Sequence, residues 1–119
     1  MAKYYDKETR ALQYEIYDTM TRKGLHRLLR DQHRLRAQAY DRGDYDALVI
    51  LMDLERASEM AGLTERQKEA LYYVYDLDMR QKDAAEVMGI DRAGMAKYIA
   101  AALKKIVRVY ERSGKNGEI

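Results

Sequence analysis

Four residues in the C-terminal half carry chemistry suited to reading a base edge: Arg92, Ala93, Ala96 and Lys97. They fall at the start of a helix that follows a short break, Gly89-Ile90-Asp91. An arginine can donate two hydrogen bonds to guanine, a lysine does so less rigidly, and alanine methyls can touch thymine methyls. Arg80 and Lys82 lie just ahead of the break, and Lys104 and Lys105 lie beyond it. Cations so placed can hold backbone phosphates while neighbouring side chains meet bases.

Other chemistries find little material. No cysteine is present, so thiol catalysis, disulfides and zinc-thiolate sites are excluded together, and the composition fits a reducing cytosol. Neither Ser58 nor Ser113 has a nucleophile-like setting. His26 and His33 are two helical turns apart, about 10 Å along the axis, too far to share a metal without further ligands. They read as surface histidines. No glycine-rich phosphate loop occurs. No catalytic residue, metal site or cofactor is therefore expected. The longest apolar run, Ala47 to Met52, is far too short to span a bilayer, and the first residues show no secretion signal.

Net charge is only +2, but its distribution is uneven. From Arg92 to Lys115 seven basic residues face one acid, a balance of +6. From Arg22 to Arg36 the balance is +5, and from Asp41 to Glu59 it is −4. Within the second stretch Leu25, Leu28, Leu29 and Leu35 share one helix face, while Arg27, Arg30 and Arg34 share the opposite one. That basic face is open to two readings: a solvated exterior, or a second surface for phosphate or an acidic partner.

The elements that must position these residues read as about six helices in an all-α chain. The chain has 119 residues, 47% of them apolar, with no proline to interrupt helices. All its aromatics are 11 tyrosines. A first helix is predicted from about Asp6 to Lys23, with Tyr5, Leu12, Ile16 and Met20 as its stripe and a break at Gly24. A second runs from Leu25 to Tyr40. Asp44 caps a third, from Tyr45 to Ala61. Because this third helix is apolar on two faces, it is expected to be the sandwiched, central one, or to feed a dimer interface. Thr64 and Gln67 form a capping box for a fourth, to about Tyr75. Asp78 is expected to cap the fifth, which spans Gln81 to Met88. Asp91 is expected to cap the sixth, which ends near Arg112 before a flexible tail, 113–119.

In the last part of the chain, Ala84 and Ala85 let two helix backbones approach. Gly89 sits where the chain needs positive φ. Met88, Ile90, Met95, Tyr98 and Ile99 supply the apolar pegs of a helix-turn-helix. The opening LTERQKEAL, the middle QKDAAEVMGI and the ending ALKKI resemble region 4 of the bacterial sigma factors, the domain that reads the promoter −35 element. The resemblance covers roughly the C-terminal half; no region-2-like segment is evident in the first 62 residues. The chain is in this respect similar to short sigma-like transcription regulators of phages and prophages.

The resemblance implies a DNA-binding regulator with Arg92 and Lys97 on bases and Arg80 and Lys82 on the backbone. It also implies RNA polymerase as a partner beside double-stranded DNA. A single domain is expected, with 1–62 as a helical support or homodimerisation unit and 63–112 as the helix-turn-helix. One departure stands out: the family usually arms the recognition helix with several long polar side chains, whereas this one reads Arg-Ala-Gly-Met-Ala-Lys-Tyr-Ile-Ala-Ala-Ala. Gly94 further lowers helix propensity, by about 1 kcal/mol relative to Ala. Contacts from a second copy or from polymerase would offset this. The alternatives are a module that binds polymerase or another regulator with weak DNA affinity, and a small DNA-packaging subunit of a phage.

Overall fold

A computed structural model describes residues 17–117, with side chains through Gly114. Five helices follow one another: α1 (Arg22–Asp41), α2 (Tyr45–Met60), α3 (Glu65–Leu71), α4 (Gln81–Met88) and α5 (Arg92–Gly117). No strand occurs among the described residues. Most of the predicted first helix, with Tyr5, Leu12 and Ile16, lies outside them.

The predicted helix ends are set by local hydrogen bonds. Asp44 accepts from the Ala47 amide at 3.1 Å and so caps α2. At α3 the Thr64 hydroxyl accepts from the Gln67 amide at 3.1 Å, and Gln67 Oε1 accepts from the Thr64 amide at 3.0 Å. This is the reciprocal box read from the sequence.

The helix expected to run to about Tyr75 is α-helical only to Leu71 and passes into a π-helical turn over Tyr72–Asp76. Three further boundaries differ. Tyr17 to Thr21 are not helical, and α1 begins where the Thr21 hydroxyl accepts from the Gly24 amide at 3.0 Å. Gly24 is therefore not a break but a buried position inside the first turn. A Cβ there would lie 2.0 Å from the Asp18 carbonyl oxygen, so the glycine lets the incoming chain cross over the helix. Asp78 does not cap α4. Arg80 takes the cap position without a side-chain cap, and Asp78 adopts φ 54°, the left-handed turn by which the chain leaves the preceding helix. Finally, α5 runs past Arg112 to Gly117, since no proline stops it and the bare Gly114 backbone seats Met20.

The centre of the fold also differs from expectation. It is α5, not α2, that packs on every other helix. Met95, Ile99, Leu103, Ile106 and Val107 are buried along it, as its periodic apolar stripe requires. Helix α2 buries Ala47, Leu54 and Ala57 against α1 and α5 and turns its other apolar face outward. Tyr45 and Met52 are 69% and 59% exposed. Asp46 and Asp53 fall between the two apolar faces, and Arg56 shares the outward one with Tyr45, Val49 and Met52. On α1, Leu25, Leu28, Leu29 and Leu35 face inward as their spacing requires.

Candidate nucleic-acid interface

Helices α4 and α5 form the helix-turn-helix. Ala84, Ala85 and Met88 of α4 are buried against Met95 and Ile99 of α5, with Ile90 and Tyr98 half-buried at the edge. Gly89 leaves α4 at φ 70°, ψ 33°, and the Ile90 amide donates back to the Ala85 carbonyl at 3.0 Å. A left-handed residue at this point suits glycine. Asp91 then caps α5: its carboxylate accepts from the Gly94 amide at 2.7 Å. A Cβ on Gly94 would stand 2.9 Å from that carboxylate oxygen. The residue that weakens helix propensity thus makes room for a short cap.

A clamp that the sequence did not reveal holds this unit to α3. Arg66 donates to the Met88 carbonyl at 3.0 Å and to Glu69 at 3.2 Å, and its guanidinium lies 5.9 Å from the Tyr98 ring centroid. It thereby satisfies a carbonyl at the end of α4 and fixes α3 against both helices of the motif. Its spacing to Glu69 is visible in the sequence, but its reach to Met88 depends on how the helices cross.

A second latch joins α1 to the motif. The chain between α3 and α4 widens into a π-helical turn over Tyr72–Asp76, with amides donating five and six residues back, Leu77 to Tyr72 and Met79 to Tyr73. The Tyr75 carbonyl accepts instead from α1, from Gln32 at 3.4 Å and from His33 Nε2 at 3.1 Å. A 2.6 Å hydrogen bond links the Tyr75 hydroxyl and His26 Nδ1. The two histidines are exposed, as expected, and each also ties α1 to Tyr75. Burial lifts the Tyr75 phenol to about 12, keeping it protonated. Burial, with Arg30 nearby, pushes the His26 imidazole below its ordinary value.

That shift has a sign. Protonation of His26 is easier in the unfolded chain, so its stabilisation is complete above the unfolded value of about 6.5. It declines as pH falls through that value toward the lower folded one. Thermal midpoints measured between neutral pH and mildly acidic pH should fall on acidification. In His26→Gln that decline should be shallower; an unchanged slope would remove His26 as its source.

The expected base-reading residues come together. Arg92, Ala93, Ala96 and Lys97 are exposed at the start of α5. Lys104 is also exposed, two turns past Lys97 and on the same side of the helix. Arg80 and Lys82 are exposed at the start of α4, Arg80 in a 3.0 Å pair with Asp83. Exposed pairs of this kind contribute about 0–1 kcal/mol, so a phosphate can replace the carboxylate. Lys105 departs from the set: its ammonium donates to the Gly62 carbonyl at 3.2 Å and to Gln67 Oε1 at 3.0 Å. It ties α5 to the start of α3.

The basic face of α1 also divides. Arg34 is held by Asp31 at 3.1 Å and by the Tyr17 hydroxyl at 3.0 Å. Arg27 borders the Asp18–Gly24 crossing, whereas Arg30 lies beside His26. The three do not act as one uncompensated row.

No curated protein and no solved structure matches the chain. Residues 57–106 match the family model described as Sigma-70, region 4. This stretch takes in the end of α2, the Arg66 clamp, the whole helix-turn-helix and α5 as far as Ile106. Residues 57–106, all-α as described, are a sigma-70 region 4 domain, the kind of helix-turn-helix with which sigma factors bind promoter DNA and engage RNA polymerase.

Proposed function

We propose that the protein is a sequence-specific, non-enzymatic transcription regulator that inserts the start of α5 into the major groove. One observation carries this reading: Arg92, Ala93, Ala96 and Lys97 lie exposed at the N-terminal end of a helix whose angle is fixed by Gly89, Asp91 and Arg66. In helix-turn-helix docking the N-terminal residues of the second helix meet base edges, while the first helix crosses the backbone. Arg92 and Lys97 take the base contacts. Arg80, Lys82 and Lys104 take phosphates. The small Ala93 and Ala96 side chains let the helix backbone approach the groove floor closely and touch thymine methyls.

Selection from a random duplex pool at moderate salt tests this reading. Phosphate-driven binding fades as salt rises, so retention there requires base or shape readout. An enriched motif is the expected result, and a palindrome within it identifies a dimer. A pool retained without any motif overturns sequence-specific regulation.

A second reading has its own observation. A groove of about 620 Å³ runs between α1, α2 and the π-helical turn, with Leu48, Leu51, Met52, Leu71 and Tyr72 along it. Beside it, α2 exposes Tyr45 and Val49. Such a patch suits a protein partner, RNA polymerase or another regulator. Copurification with polymerase that survives nuclease treatment, without an enriched DNA motif, would favour this reading.

A further inference from the structure

Helix α1 lies outside the matched residues 57–106, yet its first turn stands beside the recognition helix. A hollow of about 340 Å³ separates them. Arg22 and Lys23 form its rim on α1, Gln81 on the first turn of α4, and Ala96 and Ala100 on α5. Tyr75, whose carbonyl and hydroxyl hold α1 through His33, Gln32 and His26, lines the same hollow. The position of the two cations relative to the motif is therefore fixed by hydrogen bonds and not left to a tether.

The properties of this corner point to one partner. Arg22 and Lys23 are exposed, and neither is paired with an acid among the described residues. The first turn of α1 contains no acidic residue. Arg30 lies on the same side of α1, eight residues on from Arg22, so positive charge recurs along the helix beyond the neutral His26. Opposite them, the recognition helix presents only the apolar side chains of Ala96, Ile99, Ala100 and Leu103, which neither repel nor neutralise an incoming strand. The first turn of α4, where this motif meets the sugar-phosphate backbone, is on the same rim.

We infer that Arg22 and Lys23 bind the phosphates of the strand that passes beside the start of α4, extending the DNA footprint beyond the helix-turn-helix. The partner is duplex DNA, recognised here by backbone charge and not by sequence. This inference rests on the DNA-binding reading above. It also answers the sparse recognition helix: affinity that the alanines do not supply comes from a helix outside the domain, within one copy of the chain. Of the basic residues on α1, those at its beginning serve this role, while Arg34 is occupied by Asp31 and Tyr17.

The test is the salt dependence of binding to a labelled duplex, carrying the enriched motif or, failing one, random sequence. Each lost phosphate contact lowers the slope of log affinity against log salt by about 0.9. The double variant Arg22→Gln, Lys23→Gln should therefore show a slope shallower by about 2. Its affinity should fall alike on motif and non-motif duplexes, with the selected motif unchanged. Hydroxyl-radical footprinting should show lost protection of backbone at one edge of the site. Arg56→Gln, on the exterior of α2 in a pair with Asp53, should keep the parental slope. A parental slope and footprint in the double variant, with the parent binding DNA, overturn this inference alone. A parent that binds no duplex at any salt overturns both it and the DNA-binding reading.

Discussion

Ile106→Ala is expected to lower the unfolding free energy by about 2–5 kcal/mol, whereas Met52→Ala should stay within about 0.5 kcal/mol of the parent. Ile106 is fully buried on α5, the helix that packs on all the others. Truncation there removes apolar contacts and leaves a cavity in a region with few ways to collapse. Met52 is 59% exposed on the outer face of α2, and its loss leaves no cavity. Domains of this size are stable by only about 5–15 kcal/mol, so the first substitution takes a large part of the total. Urea unfolding followed by circular dichroism measures both. The contrast decides which helix is the centre: if α2 were sandwiched between two layers, Met52→Ala would be the costly change. Comparable losses in the two variants would mean that the outward face of α2 is covered in solution, which an oligomeric mass would then have to show.

The sequence pattern led to the wrong central helix for a physical reason. Apolar residues on two faces of a helix report that both faces avoid water in some state of the molecule, and they do not say which. Along α2 Ala47, Leu54 and Ala57 face the core, and Tyr45, Val49 and Met52 face outward. The two small residues on the inner face let helix backbones come close there, a feature that the width of the apolar stripe does not report. Local signals fared better. The Asp44 cap, the Thr64–Gln67 box, the left-handed Gly89 and the Asp91 cap depend on hydrogen bonds within a few residues, and spacing alone identifies them. Asp78 shows the limit of that logic. The same short polar residue that caps helices also tolerates positive φ, and the π-helical turn needed the second property.

The candidate site was legible where it depends on exposure along one helix. Arg92, Ala93, Ala96 and Lys97 follow from the position of the turn and the 3.6-residue period. Ties between distant segments were not legible. Lys105 was expected on phosphate because it is basic and adjacent to Lys104, but one residue turns a side chain by about 100°, toward Gly62 and Gln67. Arg66, Gln32 and His33 make their decisive hydrogen bonds 22, 43 and 42 residues away in sequence. No periodicity within a single helix encodes such partners.

Arg92→Ala and Lys97→Ala should each weaken binding to the selected duplex by about 1–3 kcal/mol, the value of a good bidentate base contact. The two positions are about 7.5 Å apart along the helix axis, so their effects should be nearly additive, about 2–6 kcal/mol for the double variant. Since both side chains are exposed, the thermal midpoint should not change appreciably. Arg92→Ala should also relax sequence preference at one base pair, a result that the loss of a phosphate contact would not produce. Lys105→Ala makes the opposing control. Its ammonium is committed to the Gly62 carbonyl and Gln67, so its removal should reduce stability while leaving the salt slope of DNA binding as in the parent. The set separates reading, clamping and folding with one binding assay and one melting curve. Retention of the parental motif and affinity by both Arg92→Ala and Lys97→Ala would mean that the start of α5 does not enter the groove. In that event the exposed apolar face of α2 becomes the surface to probe next with RNA polymerase.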